Sequence, residues 1–167
     1  MKKLSKFSYL FALPFTIISF VLMLTTNAII NDKYKVDIFV PGTEAVFGHK
    51  PISEIDPPSN PSPLALAAWI LALVAILIIV LGVFLRFIYG DELEKAHIVL
   101  SFIAIICLIL AGIFMFNVVS TFWAANDMGY PLKGTRIGTG WGVAASFYFL
   151  SALILLFPIV VSFADRS

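Results

Sequence analysis

The sequence predicts an all-α membrane protein, with four transmembrane helices in an antiparallel bundle and a small β-hairpin in the first extracytoplasmic loop. Three observations carry this. Only 13% of the 167 residues are charged, half of the ~25% usual in a soluble domain. The missing charge is concentrated in four apolar blocks, each near the ~20 residues a helix needs to cross a bilayer core of ~30 Å. Finally, the stretch with a strand's period-2 alternation, "KYKVDIFV", falls between the first two blocks.

The expected spans are residues 7–30, 64–87, 98–119 and 141–163, and none has a charge in its interior. Backbone polar groups in lipid must be satisfied within the segment, so each block is a helix. The basic start (Lys2, Lys3, Lys6) resembles the n-region of a signal peptide, whose cleavage would leave three spans. The apolar run is longer than the usual ~7–15 residues of such a peptide. Its one small-residue cleavage pattern, Thr26-x-Ala28, is weak. A retained first helix and a single four-span domain over residues 1–167 are therefore expected.

Lysine and arginine near the helix ends set orientation. With the N-terminus inside, six basic residues (Lys2, Lys3, Lys6, Arg86, Lys95, Arg166) face in and five (Lys33, Lys35, Lys50, Lys133, Arg136) face out. The first helix has the clearest local bias, three lysines before it and two after. Trp123 and Trp141 then mark one interface, with Trp69 slightly deeper, and Tyr9 and Tyr89 the other. The expectation is a plasma-membrane protein with both termini cytoplasmic and extracytoplasmic loops at 31–63 and 120–140.

In "IYGDELEKAH" Gly90 ends the second helix, while Asp91 and Glu94 form a capping-box pattern for the third. That turn makes an antiparallel hairpin and has no room for a soluble domain. In the first outer loop, Tyr34, Val36, Ile38 and Val40 alternate with Lys33, Lys35, Asp37 and Phe39. Pro41-Gly42 reads as a turn and "TEAVF" as a return strand. A lone hairpin is marginal in water, so it should lie on the helix tops or on another chain. "DPPSNPSP" forms a stiff lead into the second span. Pro14 and Pro158 are positioned to kink the first and fourth helices near the inner face.

The glycine run "NDMGYPLKGTRIGTGWG" is the one stretch that invites a ligand reading. Its Gly138-x-Gly140-x-Gly142 resembles the start of a dinucleotide fingerprint, but Val143 stands where that pattern's third glycine should be, and a βαβ context is missing. Lys133 precedes its glycine rather than following it, so no P-loop forms. Neither nucleotide nor nucleic acid is expected as a partner; a net charge of +1 gives no reason for the latter. The run is better read as an outer turn, pairing through "LKGTRIG" with the first-loop hairpin and opening a small-residue helix face. Gly138, Gly142, Ala145 and Ser146 form that face, and Ala68, Ala72 and Ala75 a comparable one on the second helix. Small residues let helix backbones approach closely, within the chain or against another subunit.

Catalytic and metal constellations are not evident. His49 and His97 fall on opposite sides of the expected membrane, and His49 with Glu44, Glu54 or Asp56 lacks a ligand spacing. Cys107 is the only cysteine, without a basic neighbour to activate it. No cofactor is expected, and the spans carry none of the ionisable residues that proton or ion relays use. The polar residues Asn27, Asn117, Ser120, Ser146 and Tyr148 all fall in the outer half of their helices. They read as a vestibule for a small polar solute or lipid headgroup, or as interhelical hydrogen bonds.

These residues support a non-catalytic accessory or structural subunit, or a scaffold, in the lipid bilayer. It would bind other membrane-protein subunits, or itself, through its small-residue faces and outer loops. The alternative is a small transporter or channel component using the polar vestibule. A lipid-acting enzyme would need an acid or base inside the spans. The layout of four spans, inner termini and a larger first outer loop with a strand pattern is similar to that of claudin-like tetraspan proteins. The first-loop pattern of that family, a Trp, a Gly-Leu-Trp and two cysteines, has no counterpart here, since this loop has neither Trp nor Cys. No junctional role is carried to any residue.

Overall fold

The computed structural model describes residues 7–31, 38–50, 58–90, 93–127 and 134–164. In chain order the elements are α1 (Ser8–Thr25), β1 (Asn27–Asn31), β2 (Ile38–Pro41), α2 (Gly42–Phe47), α3 (Pro63–Tyr89), α4 (Glu94–Phe116), α5 (Val118–Ala125), β3 (Thr135–Ile137) and α6 (Thr139–Ala164). The protein is mostly helical, and four helices (α1, α3, α4 and α6) are long and apolar enough to cross a membrane. Each packs on two neighbours, α1 on α3 and α6, and α4 on the same two, which closes a ring. The three strands cap one end of this ring. The α3–α4 turn lies at the other, here called the hairpin end.

The ring closes on small residues. On α3 the buried positions are Ala65, Ala68, Ala72, Ala75, Ile79 and Gly82, spaced by three or four as a helix face requires. On α6, Trp141, Ala144, Ala145, Tyr148, Ser151, Ala152, Leu155 and Ile159 turn inward in the same way. Gly112 of α4 lies against the ring of Phe149, where a Cβ would stand 2.8 Å from Cζ. The large aliphatic and aromatic side chains point the other way: Leu77, Phe84, Phe87, Val99, Phe102 and Leu153 are exposed. An apolar exterior of this extent suits hydrocarbon rather than water.

Hydroxyls bridge the helices in the interior. Ser19 of α1 donates to the Ala144 carbonyl of α6 at 2.5 Å, and Ser151 of α6 donates to that of Ala12 at 3.3 Å. Near the hairpin end, Tyr9 of α1 donates to the His97 carbonyl at 2.6 Å and accepts from Ser101 at 2.8 Å. Its ring lies on Gly82 of α3, where a Cβ would come within 2.6 Å. One phenol thus ties three helices together.

Several expected boundaries are corrected. The first span was expected to stay helical through residue 30, yet α1 stops at Thr25 and Asn27–Asn31 is a strand. Thr, Thr and Asn are weak helix formers and Ile29 and Ile30 are β-branched, so the run favours extension once partner strands are present. "TEAVF", expected as a return strand, is the helix α2. Ala45 and Val46 are both fully buried; a strand would send these consecutive side chains to opposite faces. The third span was expected to reach residue 119, but α4 ends at Phe116, and α5 follows across a break at Asn117. The expected cap Asp91, the strand positions Tyr34 and Val36, and Lys133 lie outside the described residues.

The start of α3 follows the usual chemistry of a helix N-terminus. The Ser62 hydroxyl accepts from the Ala65 N–H at 3.3 Å, and Pro63 follows at the first helical position. Gly90 ends the helix at φ +59°, a backbone conformation that favours glycine.

Candidate contact surface at the sheet end

The sheet is three-stranded in the order β2-β1-β3, with both pairings antiparallel. Two chain segments far apart in sequence therefore meet on β1: the first connection supplies β2, and the glycine run supplies β3. The sequence places "LKGTRIG" against the first-loop hairpin; in the structure its Thr135, Arg136 and Ile137 pair instead with Asn31, Ile30 and Ile29 of β1, most of which was expected to be the end of the first helix.

Register sorts the side chains into two faces. Val40, Ile29 and Ile137 lie in one row across the strands, and Ile29 is fully buried with Val40 nearly so. Asn31 shares this face, is also fully buried, and donates from Nδ2 to Thr135 Oγ1 at 2.9 Å. The opposite face carries the row Phe39, Ile30 and Arg136, with Phe39 51% exposed and Arg136 exposed. This face points away from the helices.

Three glycines let the sheet sit directly on the ends of α1 and α6. A Cβ on Gly138 would lie 1.7 Å from the Asn27 carbonyl oxygen, and its N–H donates to the Ala28 carbonyl at 2.8 Å. A Cβ on Gly140 would press on the Thr26 side chain at 2.4 Å. A Cβ on Gly42 would meet the Met23 carbonyl at 1.9 Å, and the Gly42 N–H donates to the Thr26 carbonyl at 2.8 Å. Because α1 stops at Thr25, the Met23 carbonyl has no helical donor four residues on. The buried indole of Trp141 supplies one, with Nε1 2.7 Å away.

The remaining connections are stitched to the same end. Asn60 and Asn126 exchange bonds: the Asn60 N–H donates to Asn126 Oδ1 at 2.6 Å, and Asn126 Nδ2 donates to the Asn60 carbonyl at 3.0 Å. The Ser62 and Thr121 hydroxyls are 2.6 Å apart, and Ser59 donates to Glu44 Oε1 at 2.7 Å. His49 and Ser59 form an isolated antiparallel bridge. Phe47, also 51% exposed, stands edge-on to Trp69 with ring centroids 5.2 Å apart. Sequence reading missed this clamp. "DPPSNPSP" signalled only a stiff segment, and Asn60 and Asn126 are too far apart in sequence to suggest a pair.

The structure distributes the sequence-predicted residues as follows. Ala68, Ala72, Ala75 and Ala145 are fully buried and Gly138 is buried, so these small residues are occupied within the chain. Gly142 is half-buried, and Ser146 is exposed and bonds back to the Gly142 carbonyl at 2.9 Å. Of the polar set, Asn27, Asn117, Ser120 and Ser146 are exposed, whereas Tyr148 is fully buried. Asn117 bonds the Ile113 carbonyl and Ser120 that of Asn117. The outward four and the inward one share no surface. The Tyr148 hydroxyl and Trp69 Nε1 are buried without a hydrogen-bond partner among the described residues.

His97 is buried at the hairpin end, where its ring centroid lies 5.9 Å from that of Tyr9, while His49 sits at the sheet end. Cys107 is buried on α4. Among the described residues no three His, Cys, Asp or Glu side chains come together as a metal site; Glu54 and Asp56 lie outside those residues. Compared with protein-family models, curated proteins and solved structures, the chain finds no match.

Proposed function

We propose that this chain is a non-catalytic integral membrane protein of the plasma membrane, with both termini cytoplasmic. It acts as an accessory or structural subunit, or a scaffold, and binds other membrane proteins through its sheet end. The observation that carries the reading is the outward row Phe39–Ile30–Arg136 on a sheet seated on the helix ends. Phe39 and Phe47 add half-exposed rings at that end, where aqueous solvent penalises them. Ala68, Ala72, Ala75, Ala145 and Gly138 are filled from within the chain, which favours the sheet end as the surface for a partner. Aromatic side chains and arginines that a partner buries contribute much of protein–protein binding energy.

The test is a photoreactive residue at position 39 in native membranes, with position 40, whose side chain faces inward, as the control. A discrete protein adduct from position 39 and none from position 40 is expected. A chain that gives no adduct at 39 and stays monomeric and partner-free in gentle detergent would overturn the reading.

A further inference from the structure

Pro158 stands inside α6, near its hairpin end. Proline has no N–H, so the Ile154 carbonyl lacks a backbone donor four residues on, and the helix is easiest to bend there. We propose that residues 159–164 form a hinged flap, which swings about Pro158 to widen or close a groove between α1 and α6. Its support lies in the bonding, the free space and the frame around that joint.

Bonding changes character along α6. Toward the sheet the helix is tied to α1 by directed bonds: Trp141 Nε1 to the Met23 carbonyl, Ser19 Oγ to that of Ala144, and Ser151 Oγ to that of Ala12. From 152 to 161 every residue is apolar. Leu155 and Ile159 are buried, so this end is held by packing alone. Apolar packing has no preferred direction, whereas a hydrogen bond weakens steeply when its angle changes. The end of α6 therefore tilts without breaking a side-chain bond.

Free space lies beside the joint. A groove of about 440 Å3 opens along the α1–α6 seam, lined by Ser8, Phe11, Phe15, Leu153, Ile154 and Phe157. Ile154 and Phe157 reach it from the turn that Pro158 weakens. In a close-packed interior such a tilt would displace a neighbour; here the groove takes it up. Six residues of helix are about 9 Å long, so a tilt of about 20° carries the tip of the flap about 3 Å.

The other helices supply a frame. No proline lies inside α4, and the one in α3 is Pro63 at its first position. Pro14 interrupts α1 in the same way, but the start of that helix is pinned. Tyr9 bonds to the His97 carbonyl and to Ser101 of α4 and lies on Gly82 of α3. The end of α6 has no such tie among the described residues, and it is the part that moves.

The test is a pair of distance distributions, measured by double electron–electron resonance on the full chain in lipid nanodiscs. Spin labels go on cysteines in a Cys107→Ser background, all at exposed positions. Phe84→Cys with Val160→Cys reads the flap against α3; Ile70→Cys with Val143→Cys reads the two helices toward the sheet. The 84–160 distribution is expected to be broader than the 70–143 distribution by about 3 Å. Pro158→Ala, which restores the N–H, should narrow it to the width of the 70–143 pair. That second pair, unchanged, reports an intact bundle, and Pro158→Leu restores the same N–H should the alanine variant fail to fold. Equal widths in the unmodified chain, or an 84–160 width that neither substitution narrows, would overturn the proposal.

Discussion

Gly138 and Gly142 stand four residues apart and look alike in the sequence, yet their surroundings differ completely. A methyl group on Gly138 collides with the backbone of β1, which cannot move without breaking the sheet; one on Gly142 finds its nearest neighbour, Ile137 Cδ1, at 3.7 Å. Gly138→Ala is therefore expected to cost about 3 kcal/mol, at the upper end of overpacking penalties. Gly142→Ala should be neutral or stabilise by up to ~1 kcal/mol through helix propensity. Thermal unfolding of the two variants in detergent checks the contrast. A similar pair of tyrosines divides the same way. Tyr9→Phe removes the bonds to His97 and Ser101 and should cost about 1–3 kcal/mol. Tyr148→Phe deletes a buried hydroxyl that has no partner among the described residues, so stability should hold or rise by up to ~1 kcal/mol. Equal losses in both, measured in the same way, would contradict this reading of the interior. Close approach at Gly138 was legible from small-residue spacing. What approaches it was not, because the partner is a strand more than a hundred residues earlier.

At the scale of elements, the four apolar helices were legible because lipid imposes a length and a composition that few other structures satisfy. Their ends at the sheet were not. "TTNAII" and "TEAVF" are too short for periodicity to separate helix from strand, and long-range contacts decide both. Residues 27–31 become a strand because β2 and β3 arrive on either side. Residues 42–47 become a helix because Ala45 and Val46 must face the same core. The clamp between Asn60 and Asn126 joins two such connections, and it makes a separable prediction. A double-mutant cycle with Asn60→Ala and Asn126→Ala should give a coupling energy of about 1 kcal/mol, because the pair exchanges bonds in both directions. Additive losses would show that each asparagine acts alone.

For the whole molecule, the start of α1 and the end of α6 lie at the end of the α3–α4 turn and the sheet lies at the other, and the proposed four-span topology puts the membrane between them. Single cysteines in a Cys107→Ser background test this with a membrane-impermeant thiol reagent. Lys3→Cys, Ser167→Cys and Tyr89→Cys should label from one face of sealed vesicles, and Thr43→Cys only from the opposite face. Labelling of Lys3→Cys together with Thr43→Cys would mean that α1 does not cross.

Slack at the junctions is minimal. Thr26 alone separates α1 from β1, Gly138 alone separates β3 from α6, and β2 runs into α2 with no residue between them. The sheet therefore cannot swivel on its own: with both arms this short, a torque applied at the strands is carried into α1 and α6 as a tilt of the two helices together. Mechanically, the sheet is a handle fixed to two shafts.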